Sequence, residues 1–151
     1  MSRIVIEKQA NQNIINSIYK IALDYTGDYF TINLPEDTKN DLVFQHVMYL
    51  ECNNDIASFI IFTCWDGSPH ITLMATQRES CGKGYGKELM KHFVIYLTEL
   101  GFNRIELFTV PPDTKPIYKN TVAFYERMGF EIEKVYSQLW ETGALKMIKT
   151  W

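Results

Sequence analysis

The sequence predicts a mixed α/β fold, a mostly antiparallel twisted sheet of about six or seven strands flanked by helices, rather than a doubly wound parallel sheet. Three observations lead there. Residues 42–77 read as three successive strands separated by compact turn signals, the pattern of an antiparallel meander. A glycine-rich run, Gly82-Lys83-Gly84-Tyr85-Gly86-Lys87, then opens an amphipathic helix. That helix is followed by an apolar strand, which implies a β-α-β crossover in the middle of the chain.

Taken in order, Arg3 to Lys8 alternates apolar and polar around Ile4 and Ile6 and reads as a first strand. Ile14, Ile15, Ile18, Ile21 and Ala22 recur at three-to-four spacing from Asn11 onward, predicting a helix that ends near Thr26-Gly27. Asp24 to Asp41 loses periodicity and reads as a loop with room for a short helix. The meander follows: Leu42 to Cys52, a turn at Asn53-Asn54, Asp55 to Trp65, a turn at Asp66-Gly67-Ser68-Pro69, and His70 to Gln77. With a two-residue Asn53-Asn54 turn, paired positions sum to 107, which sets Cys64 opposite Val43 and excludes a Cys52–Cys64 disulfide.

The next helix carries Leu89, Phe93, Tyr96, Leu97 and Leu100 on its apolar stripe and stops at Gly101. Arg104 to Val110 is a strand, and Pro111-Pro112-Asp113 breaks it. Ile117 to Met128 predicts a helix with Ile117, Thr121, Phe124 or Tyr125, and Met128 facing inward, capped by Gly129. Phe130 to Tyr136 and Ala144 to Thr150 close the sheet, giving the order β-α-(α)-β-β-β-α-β-α-β-β.

Composition bounds the rest. A length of 151 residues with 46% hydrophobic and 22% charged residues is that of one globular domain, 1–151, with no disordered or low-complexity character. Fifteen basic and eighteen acidic residues leave a net charge of −3, which argues against a nucleic-acid-binding surface. No apolar run is long enough to span a membrane, and the start Met-Ser-Arg-Ile-Val-Ile-Glu lacks a secretory pattern, so a cytoplasmic protein is expected. Three cysteines and three histidines show no metal-ligand spacing, so no metal is expected.

The glycine run carries the chemistry. A strand leading through glycines into a helix directs several backbone N–H groups, and the positive end of the helix dipole, at one point, which suits a phosphate. Gly82, Gly84 and Gly86 permit close approach, while Lys83 and Lys87 add charge. A Walker loop is excluded because three rather than four residues separate Gly82 from Gly86-Lys87, and Glu88 fills the magnesium-ligand slot. A dinucleotide fingerprint is excluded because the spacing is G-x-G-x-G.

Cys81-Gly82-Lys83-Gly84-Tyr85-Gly86-Lys87-Glu88-Leu89-Met90, followed after a helix and strand by Thr121-Val122-Ala123-Phe124-Tyr125-Glu126-Arg127-Met128-Gly129-Phe130, resembles the GNAT superfamily of acetyl-CoA-dependent N-acetyltransferases. The first block is similar to its Q/R-x-x-G-x-G pyrophosphate loop, with Cys81 in place of the usual Arg or Gln, and the second to its Phe-Tyr-x-x-x-Gly-Phe helix end. The resemblance implies acetyl-CoA as donor, held by Met74, Thr76, residues Cys81, Gly82, Lys83, Gly84, Tyr85, Gly86 and Lys87, and Asn120. It implies that backbone groups of Met74 and Thr76 hold the thioester, that Tyr125 protonates the departing thiolate, and that His70 is the general base. The competing readings are a core aromatic for Tyr125 and a turn-adjacent histidine for His70.

The resemblance also places the acceptor, a small-molecule or protein primary amine, beside Asp28, Tyr29 and Phe30, with Leu139-Trp140-Glu141 at the border. Residues 24–41 carry net −4 and residues 78–91 net +2, a division suited to an ammonium at one end and a pyrophosphate at the other. Direct attack in a ternary complex follows, with homodimers common in the superfamily. The alternatives are a non-catalytic acyl-CoA-binding domain and transfer of a longer acyl group.

Overall fold

The computed structural model describes residues 2–151, so Met1 of the expected domain lies outside the described residues. Seven strands form one sheet in the order β1-β2-β3-β4-β5-β7-β6. They are β1 (Ser2–Glu7), β2 (His46–Cys52), β3 (Asp55–Trp65), β4 (Ser68–Thr76), β5 (Arg104–Thr109), β6 (Glu131–Tyr136) and β7 (Ala144–Thr150). Every neighbouring pair is antiparallel except β4 with β5. The four helices are α1 (Gln12–Asp24), α2 (Leu34–Phe44), α3 (Tyr85–Glu99) and α4 (Lys119–Arg127).

The sheet separates two apolar clusters. On one face Leu89, Phe93 and Leu97 of α3 and Val122 and Tyr125 of α4 pack on Met48, Ile60 and Phe62, with the Phe62 and Phe93 rings 4.8 Å apart. On the other, Ile14, Ile18 and Ile21 of α1 and Leu42 of α2 cover Val47, Phe59 and Ile61. The isoleucine spacing in α1 is what makes that second face, and Asn11 fixes the helix start by accepting the Ile14 N–H at 3.0 Å.

Asn53 and Asn54 both take positive φ, 54° and 64°, as a tight hairpin turn requires. Cys52 faces Asp55 and Glu51 faces Ile56 as the turn dictates, but a bulge between Leu50 and Glu51 shifts the remaining rungs by one. β2 ends at the His46–Phe62 rung and Val43 lies in α2, so Cys64 pairs only with Pro69 of β4, and all three cysteines are free.

Three expectations are corrected. The short helix allowed for in the loop over residues 24–41 is present as α2, while the strand expected from Leu42 begins instead at His46. α2 has Pro35, Glu36 and Asp37 in its first turn, where the missing N–H and the acidic charges suit a helix N-terminus. In α4 the buried residues are Val122 and Tyr125, preceded by Tyr118, rather than a stripe through Ile117, Thr121 and Met128. The short 3-10 turn Pro116–Tyr118 ahead of α4 rotates the inward face. Leu100 at the end of α3 is exposed and Met90 is buried instead.

Phe93→Ala should remove about 3–5 kcal/mol of stability, because the ring is fully buried at the centre of the larger cluster. Urea unfolding measures it; a loss under about 1 kcal/mol would mean that α3 is not packed as described.

Candidate active site

β4 and β5 pair at two rungs only, His70 with Glu106 and Ile71 with Leu107, and then part. A cavity of about 1070 Å³ opens in the wedge, walled by residues 71–76 of β4 on one side and 107–110 on the other. Gln77 donates its N–H to the Ala57 carbonyl at 2.8 Å, which makes the Ser58–Thr76 rung a non-hydrogen-bonded pair. Alternation along the strand then turns the backbone N–H and C=O of Thr76 and Met74 away from β3 and into the wedge. The Thr76 carbonyl accepts the Tyr25 hydroxyl.

Beyond β4 the chain makes a 3-10 turn, Arg78–Ser80, and enters the glycine loop. Gly82 and Gly84 hold φ of 79° and 80°, left-handed backbone that any side chain would strain. Gly84 caps α3 without a side-chain bond, and the helical ladder begins with the Glu88 N–H on the Gly84 carbonyl at 3.0 Å. The N–H groups of Tyr85, Gly86 and Lys87 precede it and are free of the ladder, at the positive end of a 15-residue helix. Lys83 and Lys87 are exposed beside them. Gly86 lies against the cavity wall: a Cβ there would meet the Phe124 ring at 3.4 Å and Thr76 Oγ1 at 3.5 Å, ordinary contact distances. The Tyr85 side chain turns away, its hydroxyl 3.4 Å from Cys52 Sγ, so Tyr85 offers the loop its backbone only. Cys81 lines the cavity with its thiol 3.5 Å from the Tyr25 hydroxyl.

Tyr125 and Asn120 of α4 form part of the opposite wall. Tyr125 is almost fully buried between Phe124 and Phe130, whose ring centroids each lie 5.4 Å away, and burial raises its phenol above the ordinary value, with Tyr118 adding to the shift. It is therefore protonated throughout the neutral range. Tyr118 is pushed up to about 12 by burial and then by Tyr29 and Asp28, and its hydroxyl donates to the Tyr29 carbonyl.

The far end of the cavity is aromatic and acidic, with Tyr29, Phe30, Asp37, Asp41, Trp140 and Glu141 in its lining. Burial, with Asp37 nearby, raises the Asp41 carboxyl. Asp28 does not line the cavity; its carboxylate bonds Arg78 Nη2 at 2.6 Å, which holds it below the usual carboxylate range.

His70 stands outside the cavity as well. Rungs Ile61–Leu73 and Phe62–Ile71 leave Thr72 as an extra residue on β4, and this bulge turns His70 onto the face of Glu106 and Phe108, opposite to Ile71 and Met74. The imidazole packs between Trp65 and Phe108, with Nδ1 3.9 Å from Glu106 and no hydrogen-bond partner. The structure thus gathers Met74, Thr76, Cys81, Asn120, Tyr125, Tyr29 and Phe30 around one cavity; His70 and Asp28 lie outside it, and residues 82–87 do not line it but adjoin it through Cys81 and through Gly86, which lies against Phe124 and Thr76. Thr72, Lys115 and Tyr118 also line it and carried no signal in the sequence, because their role depends on the bulge and on the 3-10 turn.

Residues 44–132 match the family model of the acetyltransferase (GNAT) domain. A search of curated proteins finds no match. Among solved structures, the ribosomal-protein-S18-alanine N-acetyltransferase of Escherichia coli is similar with a TM-score of 0.78 and 15% identity, over 99% of this chain and 94% of that one. Ard1 from Thermoplasma volcanium is similar with a TM-score of 0.75 and 21% identity, over 97% of both chains. A chain of the NatC complex bound to Gag peptide and CoA is similar with a TM-score of 0.67 and 17% identity, over 99% of both. At these identities the likeness is one of fold.

The surroundings of His70 have a consequence for stability. Burial lowers its pKa, opposed in part by Glu106, so the unfolded chain binds the proton more readily. The stabilising contribution is complete above the unfolded value of about 6.5 and is lost as pH falls toward the folded value. The urea midpoint of the wild type should drop between pH 7.5 and 5 more steeply than that of His70→Phe; parallel slopes would show that His70 is solvated.

Proposed function

The chain belongs to the GNAT acetyltransferase family, and from that premise we propose that it transfers an acetyl group from acetyl-CoA to a primary amine by direct attack in a ternary complex. The observation that carries the reading is the wedge between β4 and β5, whose cavity is lined by Cys81, Tyr125 and the carboxylates of Asp37, Asp41 and Glu141 and adjoins the α3 N-terminus where Gly86 lies against Phe124 and Thr76. Residues 1–151 act as one catalytic domain in this reading.

When bound, acetyl-CoA supplies the activated thioester. The free N–H groups of Tyr85, Gly86 and Lys87, with Lys83 and Lys87, would hold its pyrophosphate. The N–H and C=O of Met74 and the N–H of Thr76 offer the pantetheine amides a strand edge in place of β5, and the Met74 N–H polarises the thioester carbonyl. Asn120 borders the same arm.

Asp37, Asp41 and Glu141 attract the acceptor as an ammonium and relay its proton outward, while Tyr29, Phe30 and Trp140 cover its apolar part. The neutral amine would attack the carbonyl carbon as the C–S bond breaks, with Tyr125 giving its phenolic proton to the departing sulfur and the proton lost from the new amide nitrogen restoring the phenol. We assign no proton transfer to His70, whose Nδ1 faces Glu106 behind the cavity wall. The acceptor is a small cationic amine or the amino group of a protein; the NatC complex, one chain of which is similar in fold, is bound to a Gag peptide and CoA.

Tyr125→Phe should lower kcat by at least about tenfold and leave the acetyl-CoA Kd within about twofold. Release of free thiol with a panel of Ala-initiated peptides and polyamines measures the first, and calorimetric titration the second; undiminished turnover removes Tyr125 as the acid. Binding of CoA with no turnover on any amine would favour a non-catalytic acyl-CoA-binding domain. His70→Phe should retain the acidic limb of the kcat/KM profile, and loss of that limb would restore His70 as the base.

A further inference from the structure

Two cations, Arg78 and Lys115, line the cavity, and they differ in what neutralises them. The Arg78 guanidinium bonds Asp24 Oδ2 at 3.0 Å and Asp28 Oδ2 at 2.6 Å, so its charge is matched within the protein. Lys115 has no carboxylate partner among the described residues. Its Nζ donates to the Tyr29 carbonyl at 3.4 Å and lies 5.7 Å from the centroid of the Tyr118 ring. That carbonyl takes up one of the three N–H groups of the ammonium, and the other two have no protein acceptor among the described residues.

The ammonium is held in place rather than carried on a loose stem. Lys115 precedes Pro116, which favours the extended backbone it takes, φ −142° and ψ 93°. Its N–H donates to the Pro111 carbonyl at 3.1 Å, and Thr114 Oγ1 donates to the Thr142 carbonyl at 2.8 Å, which ties this turn to the segment carrying Trp140 and Glu141. The Tyr118 hydroxyl donates to the same Tyr29 carbonyl as Lys115, so the aromatic wall and the ammonium are fixed together.

The carboxylates of the cavity are unmatched in the same way. Asp37 and Asp41 are neighbours on successive turns of α2, and the lysine of that helix, Lys39, pairs with Glu36 at 3.8 Å instead. Neither they nor Glu141 has a cation partner among the described residues, although all three share a cavity with Lys115. Opposite charges that neutralised one another would stand within ion-pair distance. These do not, which leaves a ligand to match both signs. A carboxylate takes charge-assisted bonds from Lys115. A polyamine sets a further cation against it, and like charges repel. The amide carbonyl of a protein N-terminus offers it a dipole in place of a counter-charge.

We infer that Lys115 is a specificity-determining residue that selects an acceptor bearing a carboxylate as well as its amine, a free amino acid rather than a polyamine or a protein N-terminus. The inference rests on the transferase reading given above and names its acceptor class. With the carboxylate at Lys115, the neighbouring α-amine stays beside the wall that Tyr118 and Tyr125 share, and Asp37, Asp41 and Glu141 are left to a basic side chain.

Free-thiol release from saturating acetyl-CoA tests this, with each common amino acid beside its α-carboxamide and with spermidine and 1,5-diaminopentane. In the wild type the acceptor with the highest kcat/KM should be an amino acid, at least about tenfold above its own carboxamide. Lys115→Met should bring that ratio to within about twofold of unity and leave the acetyl-CoA Kd, from calorimetric titration, within about twofold. Because the ratio is compared between proteins, the different basicity of acid and amide cancels. Lys115→Arg should keep the preference, and Lys115→Gln stands in if Lys115→Met does not fold. A carboxamide or polyamine used as well as the best amino acid, a ratio unchanged in Lys115→Met, or a weakened acetyl-CoA Kd in that variant overturns the inference while the transferase reading stands. Turnover of an Ala-initiated peptide with none of these small amines does the same. No turnover of any amine by a protein that binds coenzyme A overturns the transferase reading and this inference with it.

Discussion

The parting of β4 and β5 after two rungs governs everything else in the molecule. A strand that loses its neighbour exposes a row of backbone N–H and C=O groups, and leaving one such group buried without a partner costs about 1–3 kcal/mol. Here the row faces a cavity instead of solvent or protein, and its Met74 and Thr76 groups are spaced as a sheet edge. An extended ligand with amide groups can take the place of the missing strand, and the α3 N-terminus lies where its anionic end would fall. The apolar clusters on both faces keep the two halves of the sheet rigid enough to hold the wedge open.

Charge follows the same geometry. Four of the five acids of residues 24–41 divide into two uses: Asp24 and Asp28 hold Arg78, whereas Asp37 and Asp41 border the cavity with Glu141. The overall −3 conceals this division, because the lysines of the glycine loop offset carboxylates elsewhere in the chain. An acid that bonds Arg78 and an acid that lines the cavity, Asp28 and Asp37, stand close in sequence and are indistinguishable by composition.

The elements that were legible in the sequence are those whose signal is local. Asn53-Asn54 specify their own turn through positive φ, the isoleucines of α1 specify a buried face, and the glycine loop specifies a helix N-terminus. α2 was not legible because its buried positions are Pro35, Thr38 and Leu42, which carry almost no apolar rhythm. Its stability comes from the Thr38 hydroxyl on the Leu34 carbonyl at 2.8 Å, its N-terminal acids and its seat on α1. His70 illustrates a different limit. Simple alternation from Met74 and Thr76 puts it on their face, but the extra residue at Thr72 reverses it, and nothing in the side chains of β4 announces a bulge. Tyr125 was reached through its motif, while its neighbour Tyr118 depends on the rotation introduced by the Pro116–Tyr118 turn.

The claim that an acyl donor completes the sheet along β4 is tested most directly by amide chemical shifts during titration with acetyl-CoA. Saturable shifts are expected for the N–H groups of Met74 and Thr76 together with those of residues 84–87, at one common Kd, while Leu73 and Ala75, which bond to β3, move little. Shifts confined to other regions, or a response at residues 84–87 with Met74 and Thr76 unmoved, would contradict it.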